Sequence, residues 1–358
     1  MKKIKLVISD LHLGRGRFLQ GGSNNLLEEF YYDEQFAEFL NYYTTGEFQD
    51  SEVELIMNGD CLNFLQVDYM GHHVTALTEG ICLSILKTIV EGHVRFFEAL
   101  RKFLKDPRHS LTYVVGNHDQ AMLWPSCRAF LNQSVGGEIH YKNLVYFFDG
   151  IHIEHGHMHE AANRLNPRRF FLKKDLPEPI LNLPFGSHFF IEFVLKLKEL
   201  RPYVDKVRPF HSFFRWGLVQ DTLFTLRTLF GLMAYFIGKV LQPDPRRQWS
   251  AKQLLAIVKE SAIFPDLGVA ARRILMDERV SMVIFGHNHV YQYRQFAENK
   301  EYFNTGTWTE LTSLDITSLG KITKLTYVLL EYDGEINRPR GRLKEWRGFH
   351  RIERDVDL

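Results

Sequence analysis

Val280-Ser281-Met282-Val283-Ile284-Phe285-Gly286-His287-Asn288-His289 is an apolar run that breaks into a glycine and two histidines. Alone it reads as a buried strand followed by a polar loop. Three earlier runs end in the same way: Val7-Ile8-Ser9-Asp10-Leu11-His12, Leu55-Ile56-Met57-Asn58-Gly59-Asp60 and Val114-Val115-Gly116-Asn117-His118-Asp119. A fifth, Ile151-His152-Ile153-Glu154, closes on His155-Gly156-His157. Strands alternating with helical segments, and polar residues at the strand ends, predict a largely parallel α/β core. Ligands in such folds sit beyond the carboxyl ends of the strands, so residues distant in sequence meet in one crevice.

The 358 residues are 45% hydrophobic and 24% charged, enough for a sizeable core in one large α/β domain or two smaller ones. With 44 basic against 43 acidic residues the net charge is +1, and bulk electrostatics gives no argument for a nucleic-acid binder. Cys61, Cys82 and Cys127 show no CxxC spacing, which disfavours a disulfide framework or zinc finger and suits a reducing cytoplasm. Met1-Lys2-Lys3-Ile4 enters the first strand with no signal-peptide core ahead of it. Residues 223–241 are apolar, but Arg227 interrupts them and Lys239 lies near their end. An arginine inside a span costs on the order of 2.5–3.5 kcal/mol even on the lenient insertion scale, so this segment reads as soluble or interfacial.

Helical spacing of Phe36, Phe39, Leu40 and Tyr43 predicts a helix over 33–43, and one long helix is expected from about 74 to 104, stopped by Asp106-Pro107. Asp149-Gly150 predicts a two-residue hairpin turn. Pro177, Pro179 and Pro184 mark a junction, and the aromatic, helical stretch after it is closed by Pro243 and Pro245. Ser250 with Gln253 resembles a capping box ahead of another helix, a short helix follows over 267–276, and 301–336 read as antiparallel strands turning at Asp333-Gly334. The expected organisation is a catalytic domain of residues 1–176 and 246–337, a helical aromatic-rich cap of 177–245 and a charged C-terminal tail of 338–358.

Asp10, His12, Asp60, Asn117, His155, His287 and His289 supply carboxylate, amide and imidazole donors at the strand ends. Such donors suit Mn, Fe or Zn, and the lack of cysteine argues against a structural zinc site. Seven donors are too many for one catalytic ion and suit two, with Asp60 as the natural bridge because a carboxylate offers two oxygens. Two ions about 3.5–4 Å apart would hold a hydroxide between them and bind phosphoryl oxygens. His118, next to Asn117, is free to face the substrate, and Asp119 is expected to hold its ring and raise its pKa for proton donation. In the third cluster His155, His157 and His159 are all close, and alternation along a hairpin strand does not choose among them. Any one of these motifs alone is most often a turn; their ordered conjunction behind apolar runs is what points to chemistry.

Asp10-Leu11-His12, Gly59-Asp60, Gly116-Asn117-His118-Asp119, His155-Gly156 and Gly286-His287-x-His289 resemble, in order, the five blocks of the calcineurin-like metallophosphoesterases. That resemblance implies a double β-sheet sandwich flanked by helices (αββα), here carrying a helical cap insertion. It implies Asp10, His12, Asp60 and His289 on one ion, and Asp60, Asn117, His155 and His287 on the other, with His155 as the third-block ligand and His157 a substrate-contact candidate. Asn304-Thr305-Gly306-Thr307-Trp308 resembles the segment that returns toward the site after the last block. Manganese leads among the divalent ions, with iron, zinc and magnesium open.

Within the family the chain is most similar to the UDP-2,3-diacylglucosamine pyrophosphatases, which share the Asp-Leu-His opening, the His-Gly block and a helical insert. This implies a lipid- or nucleotide-linked phosphoester or pyrophosphate substrate. Phe189, Phe190, Phe193, Phe210, Phe213, Phe214, Trp216, Phe224, Phe230 and Phe236, with Lys196, Lys198, Arg201, Lys206, Arg208 and Arg215 among them, would suit peripheral lipid contact at the inner membrane face as well as packing on the core. Arg164, Arg168 and Arg169 are candidates for bidentate substrate contacts or a solvated patch. The alternatives are a nucleic-acid or cyclic-nucleotide phosphodiesterase, disfavoured by the net charge, and a non-catalytic metal-binding scaffold.

Overall fold

The structure, a computed structural model, describes residues 2–19, 21–202, 204, 206–208, 210–241, 249, 251–263, 266–313, 320–332 and 338–348. Its first sheet is built on β1 (Lys3–Ile8), β2 (Glu52–Asn58), β3 (His109–Val114) and β4 (Ile139–Lys142), parallel neighbours in that order. The second starts from the hairpin of β5 (Val145–Phe148) and β6 (Ile151–Glu154), whose turn at Asp149 and Gly150 takes φ of 47° and 75° as the Asp-Gly pair predicts. Two short strands, β7 (Phe171–Leu172) and β8 (Ile180–Leu181), pair at the start of the insert, and β9 (Val207–Arg208) lies inside it. Then β10 (Met282–Phe285), β11 (Gln292–Ala297) and β12 (Lys300–Asn304) complete the second sheet in the order β11-β12-β10-β6-β5. β13 (Leu311–Ser313) pairs with β9 and with β14 (Gly320–Ile322), tying the insert to the segment after β12. Finally β15 (Leu325–Tyr332) and β16 (Arg340–Trp346) run antiparallel at the edge of the first sheet, ordered β16-β15-β1-β2-β3-β4.

Period-two alternation explains why both faces of the first sheet are buried. Ile4, Leu6 and Ile8 of β1 face α1 (Asp33–Tyr42), α2 (Glu79–Gly92), α3 (Val94–Phe103) and α4 (Pro125–Val135) in the large core. Val7, Ile56 and Val114 point the other way, onto Ile151, Ile153, Met282, Ile284 and Phe303 of the second sheet. The outer face of that sheet, through Val283, Phe285 and Tyr302, is covered by Leu267, Ala270 and Ala271. The layers are therefore helix, sheet, sheet, helix: the αββα sandwich. The cap adds α5 (Phe185–Phe189), one π-turn (Phe190–Val194), α6 (Leu195–Leu200), α7 (Phe210–Gln220) and α8 (Thr222–Leu241), followed by α9 (Ala251–Ile263) and α10 (Leu267–Ile274).

Three expectations change. The long helix over 74–104 is two helices broken at His93 (φ −128°), whose ring is held 3.0 Å from Asp33 and 3.6 Å from Glu28. Residues 340–346, expected in a peripheral charged tail, pair with β15 in register from Leu325–Trp346 to Glu331–Arg340. The helix Ala251–Ile263, expected in the catalytic part, packs Leu254 and Ile257 against Phe185, Phe189, Tyr235 and Phe236 of the cap. Ser250, the Asp333-Gly334 turn, Pro243 and Pro245 lie outside the described residues.

Candidate metal centre

The strand-end loops are locked by backbone hydrogen bonds before any side chain is considered. Asp10 N–H donates to Gly59 O at 3.1 Å, and His12 N–H to Asp60 O at 2.9 Å. Among the described residues nine non-glycine positions have positive φ, and five of them are Asp10, His12, Asp60, His287 and His289, at 51° to 74°. The left-handed region costs such residues of order 1–3 kcal/mol and persists only where surrounding structure imposes it. Its concentration here marks the site independently of residue chemistry. Two glycines are required by close approach: a Cβ on Gly116 would lie 2.2 Å from Asp60 Oδ1, and one on Gly286 2.4 Å from Asp10 Oδ2.

Backbone N–H groups occupy one oxygen of each carboxylate. His287 N–H donates to Asp10 Oδ2 (2.9 Å) and His118 N–H to Asp60 Oδ1 (2.7 Å). The remaining oxygens face the histidines: Asp10 Oδ1 lies 3.4 Å from His289 Nε2 and 3.9 Å from His12 Nε2, while Asp60 Oδ2 lies 3.0 Å from His155 Nε2. Two donor groups result, Asp10 with His12 and His289, and Asp60 with His155 and His287, each with its ligand atoms within 4.8 Å of one another. Asn117 lines the same cavity as Asp60 and His287.

Buried donors without partners test whether ions fit here. Asp10 Oδ1, Asn117 Oδ1, His155 Nε2 and His287 Nδ1 are all buried with no hydrogen bond. Such groups are costly unless something satisfies them. The opposite ring atoms are already engaged: His155 Nδ1 contacts Asn58 O at 2.9 Å, and His287 Nε2 contacts Glu160 Oε2 at 2.7 Å. Holding one imidazole nitrogen so that the other is presented to a metal is the usual support for a histidine ligand. The residues fit two divalent ions bound by oxygen and imidazole. Burial opposes charge on His155, but Asp60 and Asp10 outweigh it and lift the imidazole to about 10. Burial likewise opposes charge on Asp60, yet its histidine neighbours, His155 first, hold the carboxyl well below the usual range.

The three histidines of the third cluster are placed differently. His155 belongs to the second donor group. His157 is buried with neither nitrogen partnered, its ring 5.5 Å from His155 and 6.4 Å from His287, and lies in neither group. Burial, reinforced by those two rings, brings it down to about 3. His159 is turned to Glu154, 2.5 Å away.

The expected pairing of His118 with Asp119 is not formed. His118 Nδ1 lies 3.0 Å from Asn63 Oδ1. Asp119 instead accepts from Gly116 N–H (2.6 Å), Tyr113 O–H (2.6 Å) and Cys61 N–H (3.0 Å), which makes it a brace for the loops around Asp60. Burial pulls the His118 imidazole down to about 3, the opposite of the expected direction, because its nearest supporting charge, Asp60, does not offset desolvation. Burial pushes Asp119 up to about 7. The arginines are also placed elsewhere. Arg164 is exposed and donates to Met158 O, and Arg168 and Arg169 are exposed on the following turn. None of the three lines the cavity of about 270 Å³ over the centre. Its wall carries His12, His118, His289, Lys206, Asn163 and Ser187 on the polar side, and Leu65, Phe189, Phe190, Val194 and Leu311 on the apolar side. Lys206, in sequence one of the cap cations, is brought here by the pairing of β9 with β13.

The Asn304–Trp308 segment does return to the site: Thr307 Oγ1 donates to Asp10 O at 2.6 Å, and the Trp308 backbone N–H to the same oxygen at 3.3 Å. Two carboxylates were missed, Glu29 beside His12 and Glu160 beside His287. Glu160 follows three clustered histidines, a visible signal; Glu29 sits in a loop with no periodicity, and nothing in the sequence points to it.

No family model matches the chain, and no curated protein sequence matches it. Solved structures align over nearly all of it at low similarity. A dimetal phosphatase from Danio rerio is 10% identical, covering 96% of this chain and 98% of that one at a TM-score of 0.34. A candidate 5′-nucleotidase from Staphylococcus aureus is 12% identical over 99% of this chain and 56% of that one, with a TM-score of 0.36. A Vps29 variant from Entamoeba histolytica is 12% identical over 96% and 99%, with a TM-score of 0.25. Likeness at these scores assigns no activity; the site rests on its own residues.

Proposed function

We propose that this protein is a dimetal-dependent hydrolase of a phosphoester or pyrophosphate bond in an amphiphilic, lipid- or nucleotide-linked substrate. The observation that carries the reading is the pair of donor groups, with unpartnered buried oxygens and nitrogens, beneath a cavity walled in part by apolar side chains. Two divalent ions, manganese first among the candidates, would supply a nucleophilic water at neutral pH and bind the phosphoryl oxygens.

The chain's own groups do the rest. Asp10, His12 and His289 would hold one ion, and Asp60, His155 and His287, with Asn117 on the same cavity wall, the other. His118, with one nitrogen committed to Asn63, lines the cavity beside them. A phosphate brought against its ring supplies the negative charge that favours protonation, so the proton for the leaving oxygen is recruited with the substrate. Lys206 on the cavity wall would meet a second anionic group, with Phe189, Phe190, Val194 and Leu311 supplying the apolar part of the same wall.

Hydrolysis of bis-p-nitrophenyl phosphate with Mn(II) tests the reading. Asp60→Ala is expected to abolish activity, and His118→Ala to lower it about 10²–10⁴-fold. Full activity in Asp60→Ala would sink it. A purified protein that takes up two ions yet hydrolyses nothing across UDP-linked lipids, cyclic nucleotides and nucleotide sugars would favour the scaffold alternative.

For the substrate's source we propose an anionic membrane surface at the cytoplasmic side. The support is α8, which among the described residues is the helix long and apolar enough to cross a membrane. One flank packs on the cap: Tyr235 O–H and Lys239 Nζ both meet Glu192, at 2.8 and 2.7 Å. The other flank leaves Leu223, Leu226, Phe230, Met233, Ile237 and Val240 exposed at helical spacing. A helix held to its protein along one side and apolar along the other suits lying in the interface, and exposed Arg215 and Arg227 beside it suit anionic headgroups.

A further inference from the structure

Each donor group has a histidine backed by a carboxylate, and the two carboxylates belong to different parts of the fold. Glu160, behind His287, follows β6 of the sandwich. Glu29, behind His12, is joined to the cap. Its Oε2 lies 3.9 Å from His12 Nδ1, which has no hydrogen-bond partner, while His12 Nε2 faces the donor group, 3.1 Å from His289 Nε2. Its Oε1 accepts from Lys198 Nζ at 2.5 Å. Lys198 comes from α6, is wholly buried, and also donates to Gln66 Oε1 at 3.0 Å. Lys198, expected among the cationic groups of a lipid-facing cap, is instead fully buried.

We propose that Glu29 is a positioning residue for His12, and that Lys198 makes the cap part of the support for that metal ligand. The inference rests on the dimetal reading above. A lysine is rarely taken fully out of water without return, and a chance tether of cap to sandwich has no need to end on a carboxylate aimed at a ligand histidine. Closing about 1 Å brings Glu29 Oε2 to hydrogen-bonding distance of His12 Nδ1, committing that nitrogen as donor and leaving Nε2 for the ion. Cap seating and affinity for the ion on Asp10, His12 and His289 are then reciprocally linked: whatever seats α6 tightens the ion, and the ion holds α6. The other ion is supported by Glu160, which follows β6 and is held by His287 and Asn163.

Mn(II) binding to the full chain, followed by isothermal titration and by metal content after dialysis, tests this. Wild type is expected to bind two ions; binding of none would overturn the dimetal reading itself. Glu29→Gln is expected to weaken one ion about 10–100-fold and leave the other unchanged. In a His289→Ala background, which removes a ligand of the same ion, Glu29→Gln adds nothing. Glu160→Gln weakens the other ion instead. Lys198→Gln, which keeps a donor to Glu29, gives a smaller loss at the same ion as Glu29→Gln and serves if that variant does not fold. Two unchanged ions in folded Glu29→Gln, or equal loss of both, overturns the inference.

Discussion

Gly116 shows how tightly the centre is built at the scale of one residue. The loop after β3 passes so close to Asp60 that a single methyl group at Gly116 would overlap a carboxylate oxygen. That oxygen accepts from His118 N–H, so the overlap would disturb the carboxylate and its brace together. Gly116→Ala is expected to cost about 1–3 kcal/mol of stability, as overpacking does, and to lower Mn(II) content below two per chain. Thermal melting with metal analysis checks both, and unchanged metal content would show that the loop yields without disturbing Asp60. Residues with positive φ around it carry the same message. Asp10, His12, Asp60, His287 and His289 hold a backbone conformation that only a supporting framework maintains.

At the scale of an element, the break between α2 and α3 rests on one ring. His93 is buried, yet Asp33 is bonded to its Nδ1 and Glu28 lies 3.6 Å from its Nε2, and against the opposing effect of burial they lift its imidazole to about 9. Glu28 in turn accepts from Gly14 N–H (3.1 Å) and Gly16 N–H (2.6 Å), so the break stabilises the loop that leaves His12. A raised folded pKa contributes stability in full below the unfolded value of about 6.5 and loses it as pH rises through about 9. His93→Gln is therefore expected to be less stable than wild type at pH 6 by on the order of 2–3 kcal/mol beyond the gap at pH 10. Urea unfolding at the two pH values measures the gap, and a gap independent of pH would show that the ring is not charged. The sequence periodicity spans this break without showing it, because Ile81, Ile85, Ile89 and Phe96 keep apolar spacing across it.

Across the whole molecule, the cap and the sandwich divide the work. The sandwich sets donor atoms; the cap roofs the cavity with Phe189, Phe190 and Val194 and turns the exposed stripe of α8 outward. Each large apolar side chain transferred from water contributes about 1.5–3 kcal/mol, so a stripe of six is ample for reversible attachment. The protein is expected to float with vesicles containing anionic phospholipid, less so at high salt. Phe230→Asp with Ile237→Asp should leave it at the bottom of the gradient while bis-p-nitrophenyl phosphate hydrolysis is retained. Equal flotation of that variant would remove the interfacial role of α8.

Much of the centre could be read before any fold was known. Carboxylate and imidazole donors that follow buried apolar strands stand out in a linear sequence, and the structure gathers Asp10 with His12 and His289, and Asp60 with His155 and His287. The αββα layering was implied by resemblance, and the structure shows it in the two faces of β1. What the linear chain does not carry is which partner a side chain meets. Asp119 adjoins His118 in sequence but turns away from it, because Tyr113 and two backbone N–H groups offer a buried carboxylate more than one ring does. Glu29 and Lys198, 169 positions apart, carry no shared pattern. Residues 340–346 look like a solvated tail because four of the seven are charged, and pairing with the edge of β15 gives them a place. Local pattern determines what a segment can offer; the packing of distant segments decides what it touches.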